Sequence, residues 1–510
     1  MQKYPKKYKK IFGRRTLIAL MILVQIVLLS VMIFSSYQLG WLSILLTALS
    51  VVTALHLLSS SDKSAFKISL VFLILLVPLF GGAFYWVFHF QTGSHGFRKR
   101  LKKISQKQKE QYEPSTDALN RASAELPQDK KLLSYLQNTA AFPVYQNTQT
   151  RYFPTGKEML ASMLTDLEHA ERYIFMEYFI IEEGVMWDSI LEVLKKKAAA
   201  GLDVRIIYDD MGSLLKLPAG YAKELQSYGI KCKVFNPFHP FLTSLQNNRD
   251  HRKIAVIDGK IAYTGGINFA DEYIGEIIRF GNWKDTAIRL CGNGAESFTI
   301  MFLQMWSLLT GQEEIPGNYL PSPKFAAVSD GWVQPYSDSP MDRENVGEHV
   351  YLHAIDRTQR YHYITTPYFM VGDEMIAALK YCAKSGVDVR IITPGVPDKR
   401  MVHFTTRSYY RELIRAGVKI YEYSEGFMHA KICVSDGELA TVGTVNMDYR
   451  SLYLHYECGV CLYRADTIAA IEKDFLDTLP HCHLVTKEDC KTNLFIRLMQ
   501  DICRLFAPLM

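Results

Sequence analysis

The feature that most constrains this chain is a duplication that begins near residue 140. In the first copy, Tyr173-Ile-Phe-Met-Glu-Tyr178-Phe-Ile-Ile has strand character, and a helix-period stretch runs from Trp187 to Ala200. Gly201-Leu-Asp-Val-Arg-Ile-Ile207 and Leu225-Gln-Ser-Tyr-Gly229-Ile-Lys-Cys-Lys-Val234 complete it. In the second copy, Tyr363-Ile-Thr-Thr-Pro-Tyr368-Phe-Met matches the first strand and Met375 to Ser385 the helix. Gly386-Val-Asp-Val-Arg-Ile-Ile392 then repeats the next strand almost residue for residue, followed by Leu413-Ile-Arg-Ala-Gly417-Val-Lys-Ile-Tyr-Glu422. Each glycine stands where a helix ends and a strand begins, the place for a left-handed cap. Strand, helix, strand at this spacing predicts an α/β fold with a largely parallel sheet covered by helices. Two such halves packed together give a pseudo-twofold molecule with a cleft between them. The segment from Gln312 to Asp342, rich in Pro, Gly and Ser, marks their boundary, with one domain over 135–320 and the other over 321–510.

A sharper pattern recurs once per copy. His251-Arg-Lys253-Ile-Ala-Val-Ile-Asp258 is followed by Gly265-Gly-Ile-Asn268, and His429-Ala-Lys431-Ile-Cys-Val-Ser-Asp436 by Gly443-Thr-Val-Asn446. At ~5% usage per residue type, five positions fixed at one spacing arise by chance about once in ten thousand such chains. On a strand, His and Lys two apart point to the same face. Each half therefore offers an imidazole beside an ammonium, and Asn268 and Asn446 bring amide donors from the following strand. Joined in one cleft, these six side chains surround a single phosphate, with Lys and Asn neutralising charge on its non-bridging oxygens. One histidine attacks phosphorus while the other protonates the departing alcohol, making a covalent intermediate. The arrangement calls for no metal and no cofactor. Asp258 and Asp436 complete the motif and are carried with the catalytic set, although each precedes a glycine, where aspartate commonly initiates a turn. Asp209 and Asp210 end a strand near the cleft and suit either substrate contact or a cap. His239, His353, His362, His403 and His455 belong to no motif and read as structural.

The first ninety residues differ in kind from the rest. They are almost free of acids and hold three apolar stretches, Thr16 to Phe34, Trp41 to Leu58 and Ile68 to Phe90. About 20 apolar residues cross a bilayer as a helix, so residues 1–92 are expected to form a membrane anchor of two or three transmembrane helices. A cleavable signal fits less well, because the apolar core is long and no small-residue cleavage site follows. Pro78, Gly81 and Gly82 suit close helix packing in lipid. Basic clusters flank the anchor: Lys3, Lys6, Lys7, Lys9, Lys10, Arg14 and Arg15 before it, and Arg98, Lys99, Arg100, Lys102, Lys103, Lys107 and Lys109 after it. Such clusters either set topology or bind anionic headgroups, at roughly 1 kcal/mol per residue. Both lie on the cytoplasmic side by the positive-inside rule, which places the catalytic region there too. Residues 93–134 read as a basic polar linker or surface helix. Net charge is +6, and the remainder of the chain is not basic, which argues against nucleic acid as a partner. Nine scattered cysteines indicate a reducing compartment. Cys458-Gly-Val-Cys461 invites a zinc reading together with His481-Cys482-His483, but its strand-like alternation puts neighbouring side chains on opposite faces. From Asn493 to Met510, apolar residues at helical spacing suit either the membrane surface or packing on the second domain.

The paired His-x-Lys motifs resemble those of the phospholipase D superfamily. Within it, Pro-Leu-Phe-Gly-Gly-Ala-Phe-Tyr-Trp-Val-Phe, Glu-Tyr-Phe-Ile-Ile, Tyr-Asp-Asp-Met-Gly-Ser, Thr-Thr-Pro-Tyr-Phe, Gly-Phe-Met-His-Ala-Lys and Arg-Leu-Phe-Ala-Pro-Leu-Met look most like bacterial cardiolipin synthases, over nearly the whole chain. The resemblance implies two phospholipase D-like βα-sandwich domains and a multi-pass protein of the bacterial cell membrane. It implies that His251 is the nucleophile and His429 the general acid and base, an assignment that the symmetry of the site makes reversible. It places Asp285 and Glu457 as the acids that support the histidines. Gly-Thr at 443–444 departs from the family's Gly-Ser and spares Asn446. The implied reaction joins two phosphatidylglycerols into cardiolipin and releases glycerol. A phospholipase D hydrolase, a phosphatidylserine synthase and a nuclease are the rival enzymes. A non-catalytic lipid sensor is the rival of another class, and it would be expected to lose a histidine or lysine that both motifs here retain.

Overall fold

The computed structural model describes residues 27, 30, 40–76, 81–82, 85–86, 93–111, 115–238, 244–321, 325, 327–329, 331–342 and 344–510. The chain divides into two compact units, one of residues 1–94 with 238–247 and a larger one holding nearly all the rest.

In the smaller unit, the helix Gly40–Ser59 carries the second predicted span and Ser64–Leu76 the start of the third. The first predicted span lies outside the described residues but for Val27 and Ser30. Gly82 sits so close to the first helix that a Cβ would meet Ser50 Cα at 2.7 Å, and its N–H donates to Ser50 Oγ at 2.9 Å. Trp86 Nε1 donates to Thr53 Oγ1 at 2.9 Å, and its ring stacks on His56. Trp41, Ile44, Leu45, Val52, Leu55 and Leu58 are exposed. Among the described residues, no helix is long and apolar enough to cross a membrane.

The larger unit contains the duplication. Its first half supplies β1 (Thr148–Phe153), β2 (Tyr173–Tyr178), β3 (Asp203–Asp209), β4 (Lys231–Phe235), β5 (Lys253–Ile257), β6 (Ile261–Gly265), β7 (Asn282–Lys284) and β8 (Ala287–Gly292). Its second half supplies β9 (Trp332–Asp338), β10 (Tyr361–Thr365), β11 (Phe369–Met370), β12 (Asp388–Pro394), β13 (Lys419–Tyr423), β14 (Gly426–Met428), β15 (Ile432–Ser435), β16 (Leu439–Gly443), β17 (Met447–Asp448), β18 (Glu457–Tyr463) and β19 (Cys482–Leu484). The sheet orders are β1-β8-β6-β5-β2-β3-β4 and β19-β13-β12-β10-β15-β16-β18-β9, the same order twice apart from β19 at one edge.

These sheets are mixed, which corrects the expectation of largely parallel ones. Only β2, β3 and β4, and β10, β12 and β13, run parallel, each joined through helices. The motif strands turn back on themselves instead. Asp258 and Gly259 take φ of 55° and 69°, and Asp436 and Gly437 take 56° and 70°. Consecutive left-handed residues make the tight turn whose twist matches a hairpin, so β5 pairs antiparallel with β6 and β15 with β16. The Asp-Gly pair that ends each motif thus decides strand direction.

Both β2 and β5 are buried along their whole length, because helices cover both faces of the sheet. Trp187 of the helix Val185–Ala199 is fully buried against Phe269 and donates from Nε1 to Tyr221 Oη at 2.6 Å. Part of the predicted linker is packed structure. The helices Thr116–Glu125 and Lys130–Asn138 bury Leu119, Ala122, Leu132, Leu133 and Leu136, and Leu133 O accepts from Gln334 of β9 at 3.2 Å. Two short parallel pairings cross between the halves, β7 with β14 and Asp250 with Tyr456.

Candidate active site

Those two crossing pairings place the histidines. His251 donates its N–H to Tyr456 O at 2.9 Å, and His429 donates its own to Lys284 O at 2.7 Å. Each imidazole is thereby set one residue from a carboxylate of the opposite half. His251 Nδ1 lies 2.9 and 3.0 Å from the Glu457 oxygens, and His429 Nδ1 lies 2.5 Å from Asp285 Oδ2. The supporting acids are exchanged between halves, so neither half contains a complete histidine–carboxylate pair. With Nδ1 engaged, each imidazole keeps Nε2 for a reacting atom. Lys253 and Lys431 fold back on the motif, their ammonium groups donating to His251 O and His429 O.

All of these groups are buried, with His251 and His429 each 7% exposed. Desolvation first, then the charges of Lys253, Lys431 and His429, holds His251 well below the usual histidine value. Desolvation and the same two lysines do so for His429. Burial thus favours the neutral ring, the form competent as nucleophile or base, and the anionic charge of a bound phosphate would favour the protonated form that a general acid needs. Burial lowers Lys253 to about 8 and Lys431 to about 7, and raises Asp285 to about 7. A phosphate entering among two lysines would favour their charged forms, since opposite charges stabilise each other strongly away from water.

The asparagines are in place but partly committed. Asn268 Oδ1 accepts from Ile180 N at 3.1 Å, and its Nδ2 donates to Tyr273 Oη at 2.7 Å. Asn446 is buried, and its Oδ1 has no hydrogen-bonding partner among the described residues. Thr444 gives the departing Gly-Thr turn a function, because its hydroxyl donates to Glu457 Oε2. In the first half the same place is Gly266, where a Cβ would meet Asp285 Oδ1 at 2.1 Å. Asp258 and Asp436 are not brought into the site. They stand at the far ends of β5 and β15 and accept N–H groups of 171–173 and of 359–361, at 2.8–2.9 Å. Asp209 caps Gly212 N at 2.9 Å and holds Arg249 and the Asp250 N–H, which sets the backbone entering His251.

His353 contacts Asp129, His362 contacts Ser435 and His403 faces Glu422. His239 lies outside the described residues. His455, read from sequence as structural, lies in the site instead: its ring is 5.5 Å from that of His251, and its Nδ1 is 3.7 Å from Glu457 Oε1. Its signal was its place two residues before Glu457, which only the strand geometry makes meaningful. His251, His455 and Glu457 offer three ligand atoms within 4.8 Å of one another, yet Lys253 and Arg450 add positive charge beside them, which favours proton sharing over cation binding. Cys458 and Cys461 are buried on β18, where the Cys458 thiol meets Thr264 Oγ1 at 3.5 Å.

Two duplicated mixed sheets that meet at one His–Lys pair from each half define a phospholipase D-like protein. A phosphatidylserine synthase structure from Haemophilus influenzae Rd KW20 shares this fold, with a TM-score of 0.57 and 17% identity over 75% of this chain and 98% of that one. A family model described as "Cardiolipin synthase, PLD-like domain" matches residues 163–276 and 351–479. The chain is 35% identical to a cardiolipin synthase of Geobacillus kaustophilus over 92% of its length and 94% of that protein. It is 43% identical to a protein of Streptococcus mutans described as uncharacterized, over 90% of this chain and 99% of the other. This chain belongs to the cardiolipin synthase family of phospholipase D-like proteins.

Proposed function

We propose that this protein is a cardiolipin synthase that transfers a phosphatidyl group from one phosphatidylglycerol to a second. The observation that carries the reading is the pair of buried imidazoles, each tied through Nδ1 to a carboxylate of the other half and each keeping Nε2 for phosphorus chemistry. His251 Nε2 bonds to phosphorus as the bond to the glycerol oxygen breaks, and His429, entering this step protonated on both ring nitrogens, gives that oxygen its Nε2 proton and becomes neutral. The neutral His429 then takes the proton of the second lipid's hydroxyl, whose oxygen bonds to phosphorus as the P–N bond breaks. Lys253, Lys431, Asn268 and Asn446 neutralise the phosphoryl oxygens in both steps. Asp285 and Glu457 orient the two rings, while Asp258 and Asp436 hold the motif strands.

Both substrates live in a bilayer, and residues 1–92 serve as the attachment to the bacterial cell membrane, with the domains at 135–320 and 321–510 on its cytoplasmic side. The exposed apolar residues of the helix Gly40–Ser59 support this. So does the helix Leu494–Phe506, which docks through Cys503 and the Arg504–Glu412 pair at 3.0 Å yet exposes Leu494, Phe495 and Leu498.

Radiolabelled phosphatidylglycerol given to the reconstituted full chain tests the reading. The expected products are cardiolipin and glycerol, with turnover reduced roughly 100- to 10,000-fold or more in His251→Ala and in His429→Ala. Phosphatidic acid as the sole lipid product would make the protein a hydrolase, and absence of any turnover of this lipid would overturn the assignment.

A further inference from the structure

The duplicated site is not symmetric. Two residues before Asp285 the first half has Trp283, its ring 5.4 Å from His429 and its indole N–H without a hydrogen-bonding partner among the described residues. Two residues before Glu457 the second half has His455, at nearly the same separation from His251, 5.5 Å. The His455 side chain is 11% exposed, and its Nε2 lies 3.4 Å from Arg450 Nε. Arginine only donates, so Nε2 is the acceptor and the neutral ring carries its proton on Nδ1. That Nδ1 is buried without a hydrogen-bonding partner among the described residues and faces Glu457 Oε1, 3.7 Å away.

The two carboxylates are therefore surrounded differently. Asp285 accepts from His429 and from the Thr286 N–H at 2.8 Å. Glu457 accepts from His251 and from the Thr444 hydroxyl, and it faces the second imidazole N–H as well. A carboxylate with a further positive N–H end turned towards it is a weaker base. Asp285 is free to share a proton with its histidine, as a ring that shuttles protons requires, whereas Glu457 leaves the Nδ1 proton on His251.

We propose that His455 is a positioning residue whose Nδ1–H, facing Glu457 Oε1 across 3.7 Å, keeps Nδ1 of His251 protonated by its electrostatic attraction for that carboxylate and so fixes His251 as the nucleophile of the pair. The inference rests on the transfer chemistry proposed above. Its consequence falls on the second step. When the acceptor oxygen bonds to phosphorus and the P–N bond breaks, a ring protonated at Nδ1 leaves as neutral imidazole, and the acceptor's proton goes to His429. Without the extra donor, the Nδ1 proton drifts to Glu457 and the ring becomes a poorer leaving group.

The test compares wild type, His455→Phe and His455→Asn as full chains in mixed micelles of phosphatidylglycerol. The phenyl ring keeps the volume and removes the donor, whereas the amide restores a donor near Nδ1. The expected result for His455→Phe is kcat lower by about 10- to 100-fold, the usual scale for a partner that orients a reacting group, with KM within about twofold. The covalent adduct on His251, trapped by rapid denaturing quench, accumulates in that variant, and His455→Asn recovers most of the rate. A Phe variant as fast as wild type, or Phe and Asn variants equally slow, overturns the inference while cardiolipin formation by wild type leaves the proposed function standing. The His251 Nδ1–H resonance in the histidine-labelled protein reads the same contact without turnover. It is expected to move in the Phe variant and return in the Asn variant, and no movement overturns the inference even for a protein inactive on this lipid.

Discussion

Asp258 and Asp436 each accept three consecutive backbone N–H groups while holding left-handed backbone at the turn. Removing such a buried acceptor strands several donors, at about 1–3 kcal/mol for each group left unsatisfied. Asp258→Ala is therefore expected to lower stability by about 2–4 kcal/mol in urea unfolding, with kcat of the folded fraction close to wild type. A loss of kcat at unchanged stability would instead put the carboxylate in the chemistry. His362 gives a second prediction. It is wholly buried beside Ser435 Oγ at 2.7 Å, and desolvation lowers it to about 3. The folded value lies below the ordinary value of ~6.5, so the unfolded chain takes up the proton first. The stability associated with the neutral ring is intact above about pH 6.5 and is lost at about 1.4 kcal/mol per unit as pH falls towards 3. Unfolding free energies at about pH 7 and pH 5 should differ less in His362→Asn than in wild type.

At the scale of elements, each motif histidine is aimed by a short strand pairing and a hairpin. The repeated Gly, the helix periods and the Asp-Gly turns were all readable, and they located the elements. Helix–strand alternation predicts parallel strands throughout, whereas two-residue left-handed turns reverse the motif strands. The spacing of the carboxyl-terminal helix suits either the membrane surface or the second domain, and the structure packs it on that domain. One face packs on Tyr409 and Glu412, and the other exposes Leu494 at 83% and Phe495 at 70%. Replacing Leu494, Phe495 and Leu498 together by Ser should raise the interfacial KM for phosphatidylglycerol about tenfold or more, because roughly 0.8 kcal/mol is lost per methylene no longer buried in lipid. Melting temperature should stay near that of wild type, and an unchanged KM would remove this helix from lipid binding.

For the whole molecule, the exchanged carboxylates make the two halves interdependent. Glu457 of one half serves His251 of the other, Asp285 serves His429, and β7–β14 and Asp250–Tyr456 join the backbones at the same places. Calorimetry should show residues 95–510 melting in one cooperative transition. Two resolved transitions would mean that each half is stable without the other and that the crossing pairs contribute little.

The sequence alone determined the duplication and the identity of the six motif side chains, because residue type and spacing along a strand are local quantities, and its resemblance to a family pointed to the two acids. It could not say that each acid belongs to the opposite histidine, since that pairing joins residues 206 and 144 positions apart. Nor could it single out His455 among the histidines that lack a motif. A side chain acquires a role in such a site through the neighbours that burial forces on it, and only the packing of one half against the other supplies those neighbours.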